Sequence, residues 1–253
     1  MDRSSHGVMI IEEMPPNIPA AADPAGVRKN ALTNGVSASE VKDMRITVFG
    51  STGKAGKEVI KQALQRGFSI AAFARSPQKM GLAHPNLTVI HGELTDLASL
   101  ETAIRGADCV ISLLGPSGKV QDTALSDGVR RIISIMETCG VRRLIQISTP
   151  SVADSKDGKD FMFGLMVALV KRSVPGSYAE IVRIGQAVRA SKLEWTLVRV
   201  PLLNEKALTK KIRMGFLGQR IVKTSLSRAD LAWFILEQVD SRKLIQEAPV
   251  ISN

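Results

Sequence analysis

The stretch Gly50-Ser-Thr-Gly53-Lys-Ala-Gly56 follows a short apolar run, Arg45-Ile-Thr-Val-Phe49, and leads straight into a helical pattern. A strand, a glycine loop and a helix in that order narrow the choice of fold more than any other feature of the chain. Glycines let a backbone turn sharply and approach a ligand closely. The helix behind them points its unpaired N–H groups, and the positive end of its dipole, back at the loop. A pyrophosphate fits such a junction. The spacing is G-x-x-G-x-x-G, not the G-x-G-x-x-G fingerprint, so the flanking strand and helix carry the reading. The plainer alternative is a glycine-rich turn that only packs the helix on its strand.

The rest of the body repeats the pattern. Apolar runs predict strands at Arg45–Phe49, Ser69–Ala74, Leu87–Ile90, Cys109–Leu114, Arg143–Ser148 and Trp195–Val200, with a last short one near Pro249–Ser252. Helical periodicity falls at about Lys57–Gln65, Leu97–Ile104, Ala124–Cys139, Tyr178–Ser191 and Ala229–Val239. Unbroken apolar strands alternating with helices predict a doubly wound parallel sheet with helices on both faces, an α/β fold of Rossmann type. The chain has 253 residues, 44% of them hydrophobic, enough for one sizeable core. One domain over residues 44–253 is expected. Thr149–Ser177 reads as an irregular insertion. Segments of about 149–191 and 202–228 lie over the carboxyl edge of the sheet and would form a substrate pocket.

Met1–Asp43 looks different: it holds Pro15, Pro16, Pro19 and Pro24 and shows no sustained periodicity. It reads as a mobile, dispensable extension. Its apolar stretch is short and followed by Glu12-Glu13, which argues against a secretory or organelle-targeting segment. The net charge of +10 suggests anionic ligands. With 4% aromatics and no zinc-finger, helix-turn-helix or RNA-recognition signature, no nucleic-acid partner is expected. Cys109 and Cys139 sit in apolar contexts and read as buried thiols of a reducing, cytoplasmic compartment. His6, His84 and His91 lack metal-ligand spacing, so no metal is expected, and no apolar stretch reaches the length of a membrane span.

The second strand's end faces an adenosine ribose in a sheet of this kind. An acid there selects NAD and a cation selects NADP. Arg75 stands there, followed by Ser76 and Lys79, and no acid. A guanidinium grips a phosphate through two charge-assisted hydrogen bonds, and Lys54 adds charge within the loop, so NADP(H) is expected. A merely solvated Arg75 is the alternative. The cofactor candidates are Gly50, Ser51, Thr52, Gly53, Lys54, Ala55 and Gly56, with Arg75 and Ser76. Topology adds Glu93 and Leu94 at the adenine edge and Leu113, Leu114 and Gly115 beside the pyrophosphate. Ser148 and Pro201, at two further strand ends, complete the set.

From about Met44 to Asn253 the body resembles the short-chain dehydrogenase/reductase superfamily in its atypical NmrA-like branch. It is similar in layout to the biliverdin-IXβ (flavin) reductases. Four segments carry the likeness: Arg45–Gly56, Gly92-Glu-Leu-Thr-Asp96, Arg189–Pro201 and Ser227-Arg-Ala-Asp-Leu-Ala232. The resemblance implies a seven-stranded parallel sheet, NADP(H) in an open cleft, and hydride transfer to a small conjugated or carbonyl substrate. Natural-product enzymes and redox-sensing regulators both occur among such proteins. One departure stands out. The superfamily's Tyr-x-x-x-Lys pair is absent: the chain's one tyrosine is Tyr178, and Val182 stands four residues on. Tyr178 can donate a hydrogen bond but is poorly equipped to cycle as an acid–base; a packing role is the alternative.

Ser148, Thr149 and Ser151 are the other catalytic candidates, able to orient a nicotinamide or polarise a substrate oxygen, or else to satisfy the backbone of a turn. Hydride transfer asks for little beyond positioning and exclusion of water. Phe161–Val170 is a ten-residue apolar run before Lys171-Arg172, open to three readings: a buried helix, a lid over an apolar substrate, or a membrane- or partner-docking segment. Lys206, Lys210, Lys211, Arg213, Arg220 and Lys223 read as a solvated basic face or a steering field, and Arg130-Arg131 and Arg142-Arg143 as surface charge. The expected function is an NADP(H)-dependent oxidoreductase acting on a small apolar or aromatic molecule, as a monomer or homodimer. A sensor that binds NADP without turnover and a non-redox isomerase or cyclase on the same scaffold are the rivals.

Overall fold

The computed structural model describes residues 10–11, 44–116, 118, 120, 122–219 and 223–253. The remaining positions, among them His6, Arg220 and most of the expected N-terminal extension, lie outside the described residues. The strands are β1 (Ile10–Ile11), β2 (Arg45–Phe49), β3 (Ser69–Ala74), β4 (Leu87–His91), β5 (Cys109–Ser112), β6 (Arg143–Ser148), β7 (Glu194–Arg199), β8 (Leu202–Asn204), β9 (Ile212–Gly215), β10 (Ser225–Ser227) and β11 (Val250–Ser252). The helices are α1 (Lys54–Gln65), α2 (Leu97–Ile104), α3 (Ala124–Thr138), α4 (Phe161–Ser173), α5 (Pro175–Ala190) and α6 (Arg228–Glu237).

Seven strands run parallel in the order β4-β3-β2-β5-β6-β7-β11. This is the doubly wound sheet expected from the alternation, with the expected seven parallel strands. β9 pairs antiparallel with β11 and β1 antiparallel with β9, extending the sheet beyond β11, and β8 pairs with β10 in a small separate sheet. Sequence reading missed β8, β9 and β10, because their three or four residues are too few to show a period and basic residues surround them.

Each face of the sheet is covered, which is why the central strands are apolar on both sides. One core layer joins Ile46, Val48, Ile111 and Ile145 to Val59 and Ile60 of α1 and to Leu231 and Phe234 of α6. The other joins Phe49, Val110, Leu144 and Leu197 to Ile104 of α2, Ile132 of α3 and Ile184 of α5. The predicted sheet-facing residues of α1, Val59, Ile60, Ala63 and Leu64, are all buried.

Several expectations need correction. α1 begins at Lys54, not Lys57, so its first turn lies inside the glycine loop. α5 begins at Pro175, whose fixed φ and missing N–H suit a helix start, and so includes Ser177 and Tyr178. The supposed irregular insertion at 149–177 contains α4, started by Asp160, whose carboxylate accepts from the Phe163 N–H at 2.9 Å. Arg143 is not surface charge: it is 6% exposed. Its guanidinium donates to the carbonyls of Gln238, at the end of α6, and Glu194. The Gln238 carbonyl, at a helix end, has no helical partner, and the Arg143 Nε and Nη2 donors fill it together. Cys139 is only half-buried, whereas Cys109 is fully buried.

Candidate functional site

The strand order reverses between β2 and β5, and a crevice opens outside the carboxyl ends of the strands at such a switch point. The glycine loop occupies this place. Gly50 turns the chain with φ of +74°, and a side chain there would press on the Leu113 backbone at 3.1 Å. A Cβ on Gly56 would come 2.3 Å from the Gly50 carbonyl oxygen, so only glycine lets α1 sit this close to the loop. The Gly53 amide donates to the Gly50 carbonyl and closes the turn. Ser51 donates its hydroxyl to the Phe73 carbonyl of β3 at 2.7 Å, which pins the loop to the sheet from below.

Two observations fit a dinucleotide here. Gly53 is the N-cap of α1 and offers no side-chain acceptor to the first-turn amides, and that turn holds no acid. α2, α4 and α6 are capped by Asp96, Asp160 and Ser227, whereas α3 and α5, like α1, have no side-chain cap. The Ser99 hydroxyl and amide hold the Asp96 carboxyl below its ordinary range. The amides of α1 face the loop without such a cap, as an anion requires. Secondly, Gly53 and Lys54 are exposed while Ser51 and Gly56 are buried, so the loop presents one open side above a packed base.

The cations are arranged unevenly. Arg75 follows β3 and is exposed, with no ion-pair partner among the described residues, and Ser76 behind it accepts from the Lys79 amide in a single 3-10 turn. Lys54 Nζ is engaged, 3.0 Å from Glu205, which also accepts from Arg228 at 2.8 Å. The hydrogen bond from Lys54, with Arg228 adding to it, keeps the Glu205 carboxyl below its ordinary range. Glu205 was not foreseen, because it lies 151 residues from Lys54.

Of the flanking candidates, Leu94 packs its side chain on Gly128 of α3, which has no room for a Cβ. Glu93 and Gly115 are exposed, and Leu113, Leu114 and Pro201 are half-buried around the edge. Thr52 and Ala55 are half-buried in the loop itself.

The hydroxyls after β6 separate into different roles. Thr149 Oγ1 accepts from the Ser151 amide at 3.3 Å, the turn-satisfying alternative. Ser148 Oγ is buried with no hydrogen-bond partner among the described residues. Ser151 is half-buried beside them. Tyr178 sits in the first turn of α5, half-buried, with the Lys171 ammonium 5.7 Å from its ring centroid. A cation does reach the tyrosine, but from α4 and over the ring face, not from position 182. Val182 instead packs against the second core.

α4 overturns the buried-helix reading of Phe161–Val170. Phe161 is 85% exposed, Leu165 58% and Leu169 63%, an i, i+4, i+8 stripe on one side of the helix. The chain leading into α4 is anchored at Asp157. Arg199 of β7, fully buried, donates to both carboxylate oxygens of Asp157 at 2.7 and 2.8 Å. Asp157 also accepts from the amides of Asp154 and Leu217. Burial pushes its carboxyl up, but the Arg199 hydrogen bonds and these amides outweigh that and leave it below the ordinary value.

A family model described as NAD(P)H-binding matches residues 50–242, from the first loop glycine to beyond α6. The chain belongs to the NAD(P)H-binding family. It is 28% identical over 154 residues to a (4-alkanoyl-5-oxo-2,5-dihydrofuran-3-yl)methyl phosphate reductase of Streptomyces griseus, an alignment covering 61% of this chain and 46% of that enzyme. It is 24% identical over 223 residues to a phenylcoumaran benzylic ether reductase of Ginkgo biloba, covering 80% of this chain and 67% of the relative. The chain thus spans about half the length of the first of these relatives. The fold is shared with an anaerobilin reductase of Escherichia coli O157:H7, TM-score 0.66 at 21% identity, covering 83% of this chain and 97% of that one. It is also shared with a short-chain dehydrogenase/reductase of Veillonella parvula solved with NADP, TM-score 0.69 at 15% identity, covering 83% and 94%.

For this NAD(P)H-binding protein, sequence reading found the loop and passed over its surroundings. The Glu205–Lys54 and Asp157–Arg199 pairs form only through tertiary folding. Ser112 and Gln146, considered below, did leave a trace: they are polar interruptions in central parallel strands, where both faces are covered.

Proposed function

We propose that the chain is an NADP(H)-dependent oxidoreductase that reduces a small apolar or aromatic substrate of carbonyl, enone or quinone type. The observation that carries this is the uncapped α1 N-terminus behind the glycine loop, with Arg75 exposed at the end of β3. The loop amides would hold the diphosphate, and Arg75 would pair with a 2′-phosphate. Leu113, Leu114 and Gly115 would border its path toward Ser148. When bound, the nicotinamide supplies the hydride.

The chain's own residues then position and enclose. Ser148, whose buried hydroxyl has no partner among the described residues, would donate to a substrate oxygen only once the pocket opens to it, and Tyr178 lies in the first turn of the helix packed across that face. The nearby Lys171, held over the tyrosine ring, contributes a positive field to the same corner. The apolar stripe of α4, linked to this corner through Lys171, supports an apolar substrate over which α4 closes. Without a Tyr–Lys pair, the proton comes from solvent. The relatives' names, both reductases and one acting on an aromatic ether, accord with this reading.

Calorimetric titration with NADPH and NADH tests the cofactor. NADPH should bind more tightly, and Arg75→Glu should weaken it about 10- to 100-fold, since hydrogen bonds to charged groups are worth about 1.5–3 kcal/mol. Tighter NADH binding by the wild type would overturn the assignment. NADPH consumption against quinones, flavins and enones tests the chemistry. Binding without turnover across that panel would favour an NADP sensor, which the missing Tyr–Lys pair also suits.

A further inference from the structure

Among the described residues, three buried side-chain atoms lack any hydrogen-bond partner: Ser112 Oγ, Gln146 Oε1 and Ser148 Oγ. Their residues are 1%, 0% and 2% exposed. They are also neighbours. Ser112 and Gln146 are register partners on β5 and β6, and Ser148 lies two residues further along β6. Side chains alternate across a sheet, so all three stand on one face, the face of Val110 and Leu144 that α2, α3 and α5 cover. Adjacent strands lie about 4.8 Å apart, and two residues along a strand span about 7 Å. Gln146 therefore stands next to each of the two serines on that face.

Their chemistry defines what fits there. Gln146 Nε2 donates to the carbonyls of Leu114 and Ile147 at 3.0 and 2.7 Å, which leaves Oε1 as the free, accepting end of the amide. Two hydroxyls complete the set. Other buried polar groups on this face are satisfied within the protein: Glu180 accepts from the amide and hydroxyl of Ser126, and Thr47 donates to the Ala103 carbonyl. Buried polar groups nearly always find partners, in protein or in ordered water. A small molecule with two protons to give and a lone pair to accept would satisfy all three. A nicotinamide amide also offers two protons, but Ser112 and Gln146 are sealed from the crevice. Water meets the need.

We propose that Ser112, Gln146 and Ser148 enclose one ordered water, and that this water sets the direction of the Ser148 hydroxyl at the carboxyl edge. Ser112 and Gln146 are then positioning residues. The orienting role rests on the reading of Ser148 as substrate-facing; the water site does not.

A crystal structure of the nucleotide-free protein at high resolution should show a water within about 3.2 Å of all three atoms. A dry or side-chain-filled pocket would overturn the proposal. Ser112→Ala gives a test by sign. If the pocket is wet, losing one anchor lowers the unfolding midpoint, by about 2–4 °C for each kcal/mol lost. If it is dry, removing an unpaired hydroxyl raises the midpoint, and the site is refuted. For the orienting role, Ser112→Ala should keep the wild-type Kd for NADPH and the substrate KM while kcat falls about 10-fold or more, within the 10²-fold that a 1 Å misplacement can cost. An unchanged kcat would refute that role. If the wild type turns over nothing in the substrate panel, the reductase reading and the orienting role fail together, and the crystal water and the sign of the midpoint shift still decide the site.

Discussion

At the scale of single residues, one added methyl group at Gly56 should spoil the glycine loop that is proposed to hold the diphosphate. Its Cβ would meet backbone oxygens of Gly50 and Ser51 at 2.3 and 2.7 Å, atoms that cannot swing aside. Gly56→Ala is expected to cost about 1–3 kcal/mol through overpacking and to abolish measurable NADPH binding. Urea unfolding and calorimetry check the two effects, and wild-type affinity in the variant would contradict the geometry. The cysteines make a second residue-scale prediction. Burial pushes the Cys109 thiol up to about 12, and the Arg143 cation nearby only partly counteracts it. A thiol reagent at mildly alkaline pH should therefore modify half-buried Cys139 in the folded protein and reach Cys109 only after unfolding. Equal rates for both would count against a sealed Cys109. Such residues differ in how far sequence revealed them. Gly56 was legible because a glycine loop is a local, contiguous device. The burial of Arg143 was not, because its acceptors at Gln238 and Glu194 come from elements up to 95 residues away.

Among elements, α4 and its anchor hold the least expected energetics. An apolar helix with an exposed Phe-Leu-Leu stripe has little core of its own; it packs on α5, and the chain just before it is held by the Arg199–Asp157 pair. Removing one partner of a buried pair leaves an uncompensated charge and costs about 3–5 kcal/mol. Asp157→Asn should destabilise the protein by about that much at neutral pH. The folded carboxyl titrates below its ordinary value of 3.8. Its contribution is therefore complete above that value and fades as pH falls through the lower folded pKa. The stability gap between wild type and variant, followed by chemical denaturation across pH, should be widest near neutrality and close in strong acid. A gap that widened on acidification would reverse the sign assigned to this pair. The Phe161–Val170 run left a buried helix, a lid and a docking segment all open, since an all-apolar run carries no record of which side is covered.

The whole molecule is one sheet with two filled faces, and all seven parallel strands lie between Arg45 and Ser252. Ile10–Ile11 adds only a two-residue pairing at the outer edge, on Ile212 and Arg213. A chain starting at Met44 is accordingly expected to fold, to bind NADPH as the full chain does, and to unfold within about 4 °C of it, the shift of roughly 1 kcal/mol. Failure to fold would give that edge strand a larger part in the core. No helix among the described residues is long and apolar enough to cross a membrane. At this scale the alternation of apolar strands and amphipathic helices, with glycines at the first junction, determined the layers, the strand direction and the place of the glycine loop at the first strand–helix turn. Those properties follow from periodicity and local backbone freedom, which any stretch of a dozen residues displays. Tertiary structure alone decided that Glu205 meets Lys54, that Arg199 is neutralised by Asp157, that α4 lies open, and that Ser112, Gln146 and Ser148 share one buried face with atoms that find no partner among the described residues. Each of these depends on which distant segments share a dielectric and a hydrogen bond, and sequence separation carries no information about that.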